Sequence, residues 1–178
     1  SKHPIINKGF VGASDELYSL FADIALPSDT LRVYNVHLQS IRFQQDEYSL
    51  FDDAALSKKN VFSRIQGLIS KLKNAYPRRI QQSKQILEHA ASAPYPVIIC
   101  GDFNEPPTSY IYSMFNEQHS DAFTSTSFGI GRTYAGKIPA GRIDYIFTDE
   151  SIKPISLQIS DEQELSDHYP ITGLVELE

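Results

Sequence analysis

The sequence predicts an α/β (α+β) protein whose sheet is covered on one side by helices. Two patterns predict it: strand-like alternation in the first and last parts, and between them a stretch from Gln45 to Ala93 rich in Gln, Lys, Ser, Leu and Ala, with apolar residues at helical spacing. At 178 residues and 41% hydrophobic content, residues 1–178 have the size and composition of one domain that can bury a core.

The segments YSLFADIAL and TLRVYNVHLQS alternate with period two, and the turn signal Pro27-Ser28-Asp29 between them predicts a hairpin. In the second strand Tyr34, Val36 and Leu38 form an apolar face. Asn35, His37 and Gln39 occupy the opposite one, so His37 points away from one core layer. Phe62, Ile65, Ile69 and Leu72, then Ile86, Leu87 and Ala90, recur at helical spacing. Pro77 should break this run into a helix near Leu56–Asn74 and another near Pro77–Ala91, because proline lacks the N–H a helix needs and clashes with the preceding turn.

Pro94 and Pro96 close the helical segment, and the apolar run VIIC fits a buried strand that leads into GDFNEPP. A helix over Ser109–Glu117 and a Gly, Ser and Thr-rich loop through Gly136 follow. RIDYIFTD, SIKPISLQIS and YPITGLVELE complete the strands, the last two separated by the acidic DEQELSDH. The single cysteine, Cys100, lies within VIIC as a small buried side chain, and a lone cysteine permits no internal disulfide.

Charge narrows the chemistry. A formal charge of −6 argues against binding nucleic acid through a general basic surface, since phosphate affinity comes from clustered Lys and Arg. An acidic chain that handles phosphates needs a metal ion. No apolar run reaches the roughly 18 residues of a membrane-crossing helix.

Several residues stand where they could do chemistry. Asp102 and Asn104 lie two apart just beyond a buried strand, so in an extended segment both side chains project the same way; a plain Gly-Asp turn closed by Asn is the competing explanation. Asp167 and His168 precede Tyr169-Pro170, where the backbone is held extended. Asp144 sits in the strongly β-forming RIDYIF, a costly place for a carboxylate without a partner. That partner is either a histidine or Arg142, two residues earlier on the same face.

Together these give two histidines, three aspartates and an asparagine at strand ends or in loops beside strands, a pattern that fits a metal-phosphate site. Oxygen ligands such as Asp102 and Asp167 suit the hard ions Mg²⁺ or Mn²⁺, and the spacing of a structural zinc site is missing. A serine hydrolase built on Ser166, Asp167 and His168 is the rival. Adjacent residues rarely form a nucleophile-base-acid relay, and no G-x-S-x-G elbow occurs.

In that order, the motifs NVHLQS, GDFNEPP, GRIDYIF and LSDHYPI resemble those of the endonuclease/exonuclease/phosphatase superfamily, with its deoxyribonuclease-I-like fold; SKHPIIN is similar to a strand of the same family. The resemblance implies a four-layered sandwich with two sheets face to face and helices outside. It implies hydrolysis of a phosphodiester or phosphomonoester in nucleic acid, a phospholipid head group, an inositol phosphate or a nucleotide. It assigns Asp102 to orienting and deprotonating the attacking water, and Asn104 to positioning that water and the phosphate. His168 would contact the phosphate and be held by Asp144, while His37 and Arg142 would support substrate binding. Asp167 and Asp102 would contribute to the Mg²⁺ or Mn²⁺ site.

Upstream of these motifs the family carries a metal-site Asn and a metal-binding Glu, and neither Glu16 nor Glu47 stands in the required context. The expectation is therefore a domain with its N-terminal part missing, partnered by that missing segment or by itself through exposed strand edges. The alternative is a binding scaffold that keeps the fold without a complete metal site. Relatives of this kind are sometimes preceded by a membrane anchor.

Overall fold

Alternating apolar residues and a tight turn between two of the strands build one edge of the large sheet. In the computed structural model, which describes residues 1–12, 17–41, 58–136, 141–161 and 166–178, strands β1 (Ile5–Val11), β2 (Ser19–Ala25) and β3 (Thr30–His37) form an antiparallel meander. The expected hairpin joins β2 to β3, with Leu26 N–H donating to the Asp29 carbonyl across the turn (2.7 Å). Glu16, Glu47 and the predicted helix start at Leu56 lie outside the described residues, as do the side chains of residues 58–65 and 68.

One helix, α1 (Lys58–Ala91), crosses over and returns the chain to β4 (Val97–Asp102), which pairs parallel with β3. The predicted break at Pro77 is absent, and the reason is tertiary. Ala75, Arg79, Gln82, Ser83, Ile86, Leu87 and Ala90 are buried at helical spacing, so one packed stripe begins before the proline and continues beyond it, while Pro77 itself faces solvent. That packing offsets the hydrogen bond that Pro77 cannot give to the Lys73 carbonyl. Ile69 and Leu72, at helical spacing in the sequence, are exposed. Pro77→Ala is expected to raise thermal stability by about 1–3 kcal/mol, measured by calorimetric melting; an unchanged or lower Tm would show that a bend at this point is needed for the stripe to pack.

Beyond β4 come α2 (Tyr110–Asn116), the short β5 (Ser120–Asp121) and α3 (Ala122–Thr126), then β6 (Asp144–Thr148), β7 (Ile152–Ile159) and β8 (Ile171–Leu177). The helix expected over Ser109–Glu117 is present, with Ser109 as its N-cap accepting from Tyr112 N–H. The segment expected to be pure loop holds β5 and α3, the latter capped by Asp121.

Six strands form one sheet in the order β1-β2-β3-β4-β6-β5, and β7 and β8 form a second. The α+β sandwich expected from the sequence is present. On one face of the large sheet, Tyr34, Val36, Ile99, Tyr145 and Phe147 pack against Ile86, Leu87 and Ala90 of α1 and Ile111 and Phe115 of α2. The opposite face meets β8 near Ile146, where a Cβ added to Gly173 would come within 3.0 Å of Ile146 Cδ1. Toward β1 and β2 apolar side chains remain half-exposed, Phe10 at 49% and Leu20 at 52%, so the second sheet covers only part of this face. Among the described residues no helix is long and apolar enough to cross a membrane.

Candidate active site

Strand register creates the site. The parallel pairing of β3 with β4 sets His37 beside Asp102, and the antiparallel pairing of β4 with β6 sets Asp102 beside Asp144. Period-two geometry then turns all three side chains to the same face, at one end of three neighbouring strands. His37 Nε2 lies 3.7 Å from Asp102 Oδ2, with the imidazole largely in solvent and the carboxylate mostly covered.

Gly101 makes the close strand approach possible. At φ 135° it occupies backbone space closed to other residues, and an added Cβ would fall 2.0 Å from the Val36 carbonyl oxygen. Gly101→Ala is expected to cost more than about 3 kcal/mol, read as a lower urea midpoint; a loss under about 1 kcal/mol would mean that β3 and β4 can separate locally without harm.

Asp102 and Asn104 do meet, though not through an extended segment. Asn104 is left-handed at φ 54°, the only described non-glycine residue with positive φ, and the chain folds back in an Asx turn. The Asp102 carboxylate accepts the Asn104 backbone N–H (2.8 Å) and side-chain amide (3.0 Å), while that amide also reaches the Leu38 carbonyl (3.1 Å). The turn weighed from the sequence is present, and it lies within the candidate site.

His168 arrives from the segment before β8. Its Nδ1 lies 2.9 Å from Asp144 Oδ2, and its Nε2 is directed at Asp102, 4.0 Å from Oδ2. Asp144 thus finds the histidine partner its place in a strand required. Residues 133–135 hold both members of this pair. Thr133 Oγ1 accepts the N–H groups of Ile143 and Asp144 (3.0 and 3.1 Å), Tyr134 bridges His168, and Ala135 N–H donates to the Asp167 carbonyl (2.8 Å).

Asp102, Asp144 and His168 form a group of three whose ligand atoms all lie within 4.8 Å of one another. Burial raises the pKa of Asp102, and the Asp144 charge adds to it, against the Asn104 N–H and the two imidazoles. At His168 burial disfavours the charged ring, but the hydrogen bond and charge of Asp144, with Asp102 and Asp167, outweigh it and hold the pKa above the usual imidazole value. The two largely covered carboxylates of this group offer oxygen donors that fit a hard divalent cation.

The expectations for Arg142 and Asp167 change, and the serine relay that the sequence already disfavoured does not form. Arg142 does not pair with Asp144 and is not poised for substrate: it is 4% exposed, with Nη1 2.5 Å from Asp121 Oδ2 and its guanidinium over the Phe123 and Tyr145 rings. It lies before β6 begins, so strand alternation does not govern its direction. Ser166 Oγ accepts the His168 backbone N–H (3.1 Å) while the imidazole is engaged by Asp144, so no serine relay forms. Asp167 is exposed and stands outside the group of three.

Sequence reasoning missed Thr133, Arg79, Gln82 and Glu105. Thr133 sits in a Ser and Thr-rich loop where nothing marks it. Arg79 and Gln82 are two polar residues among many on a polar helix.

A profile of the Endonuclease/Exonuclease/phosphatase family matches residues 6–168. No curated protein matches the chain. Among solved structures, the chain is similar to an endonuclease/exonuclease/phosphatase from Bacteroides vulgatus, at 17% identity and a TM-score of 0.67, over 99% of this chain and 67% of that one. It is similar to a mannosyl-6-phosphatase from Bacteroides thetaiotaomicron, at 15% identity and a TM-score of 0.63, over 98% and 67%. A D. rerio TDP2 humanized by 14 mutations aligns at 15% identity and a TM-score of 0.64, over 97% and 67%. The chain thus spans about two thirds of the length of these structures, and at such identities the likeness is one of fold.

Proposed function

The chain belongs to the endonuclease/exonuclease/phosphatase family, and from that premise we propose that it is a divalent-metal-dependent phosphoesterase acting by in-line attack of an activated water. The observation that carries this is the convergence of His37, Asp102, Asn104, Asp144 and His168 at one end of β3, β4 and β6.

Asp102 takes the proton of the attacking water; its raised pKa brings the base nearer neutral pH, where general-base catalysis is most effective. Asn104, fixed by the Asx turn, orients that water and the phosphate. In-line attack builds negative charge on the phosphoryl oxygens. His168, kept protonated by Asp144, donates to one of them from Nε2, and His37, open to solvent, supports the phosphate from the other side of Asp102. Mg²⁺ or Mn²⁺ would be held by carboxylate oxygens of Asp102 and Asp144, and would supply charge neutralisation at the phosphate. The substrate class is a phosphate ester, with the mannosyl-6-phosphatase among the similar structures favouring a monoester in the first screen.

The test is hydrolysis of bis-p-nitrophenyl phosphate and p-nitrophenyl phosphate with Mn²⁺, Mg²⁺ or EDTA, with His168→Ala as control. Metal-dependent turnover that disappears in the variant supports the assignment. Equal rates in wild type and variant would sink it, and a folded chain with no turnover would favour the scaffold alternative.

A further inference from the structure

We propose that Arg79 and Gln82, one turn apart on the buried stripe of α1, are positioning residues for this site. The inference rests on the phosphoesterase assignment, because it names what holds the groups that the assignment uses.

Two chain segments leave the sheet at the site, one after β3 through Leu38 and Gln39, the other after β4 through Phe103, Asn104 and Glu105. Neither continues as a strand, so each needs something else to satisfy its backbone and fix its path. Gln82 Oε1 accepts the Gln39 N–H (3.0 Å), and Arg79 Nε donates to the Gln39 carbonyl (2.6 Å). The helix therefore holds both backbone groups of Gln39, two residues beyond His37.

From the same guanidinium, Nη1 donates to the Asn104 carbonyl (2.7 Å) and to the Glu105 carboxylate. Arg79 thus cross-links the two exits. Its side chain is 3% exposed, so it works on the site through these segments and not by touching substrate. The fixed fork of a guanidinium suits this task, since one side chain can serve several acceptors at set angles. Asn104 needs such support: its left-handed backbone is disfavoured for a residue with a Cβ, and it persists where neighbours over-determine it.

The competing account is that Arg79 is there to neutralise buried Glu105, because removing one partner of a buried ion pair destabilises a protein by itself. The double variant Arg79→Met/Glu105→Gln separates the two, since it leaves no buried charge unpaired. Amide hydrogen exchange would be followed at Asn104, at Gln39 and along the β3–β4 ladder, together with kcat and KM on p-nitrophenyl substrates for this variant, Arg79→Lys and Gln82→Met.

Positioning predicts that exchange at Asn104 rises at least about tenfold in the double variant while the ladder is unchanged, and that Gln82→Met does the same at Gln39. It predicts a kcat lower by roughly 10- to 100-fold with KM within about threefold, partly recovered in Arg79→Lys. Wild-type exchange and kcat in the double variant would overturn the proposal in favour of charge neutralisation. Uniformly faster exchange that includes the ladder would overturn it in favour of global stability. If the wild-type chain shows no turnover, the phosphoesterase assignment fails, and the exchange measurements still decide whether Arg79 and Gln82 hold the two segments.

Discussion

Asp102→Asn is expected to lower kcat by roughly 10³-fold with little change in KM, measured on p-nitrophenyl phosphates with saturating Mn²⁺. The substitution preserves shape, and its amide oxygen can still accept the Asn104 backbone N–H, so the Asx turn survives while the bond from the Asn104 side-chain amide is lost. What disappears is the proton acceptor at the centre of the row. Asp102 is the residue that both imidazoles approach, at 3.7 and 4.0 Å, and burial has raised its pKa so that it can act as a base closer to neutrality. A variant with more than about a tenth of wild-type kcat would remove Asp102 from the role of base and leave it as a turn residue.

Asp144→Asn is expected to lower kcat by about 100-fold at pH 8 and by less at pH 6, and the contrast between the two matters more than either value. In the folded protein, burial works against a charged His168, yet Asp144 and the nearby carboxylates hold its pKa above that of a free imidazole. Activity that needs a protonated His168 should therefore persist to higher pH in the wild type and fall as pH rises through that raised value. Without the Asp144 charge the fall moves to lower pH. The same linkage acts on stability: the pair's contribution is fully present below about pH 6.5 and is lost as pH rises through the folded-state pKa. An alkaline limb at the same pH in both proteins would show that His168 is not the group whose proton is needed.

Strand β3 was legible because it has a buried and an open face, which imprints a period of two on the sequence, and β4 because a short continuous apolar run marks a covered strand. His37, Asp102 and Asp144 could be read as site residues for the same reason, as polar side chains at the ends of such strands. Their alignment in one row could not, since register between β3, β4 and β6 depends on the whole sheet. Pro77 misled because local backbone chemistry argues for a break, while the decisive term is a packed stripe spread over four turns of α1. Arg142 misled because its partner, Asp121, is brought near by β5, an element of two residues that leaves no pattern. The supports of the site, Thr133, Arg79 and Gln82, act through backbone atoms of other segments, and a single sequence carries no mark of such contacts.

The parallel pairing of β3 with β4 has a kinetic meaning. The two strands meet only after the long crossover containing α1 has closed, and His168 joins from still further along the chain, so assembly of the row must wait for contacts between distant segments. Closing such loops loses chain entropy before any contact compensates for it, which places these pairings late in folding. During refolding, helical signal from α1 should therefore return well before the row of His37, Asp102, Asp144 and His168 forms. A chain emerging from synthesis would carry its meander and its long helix for some time before that row is complete.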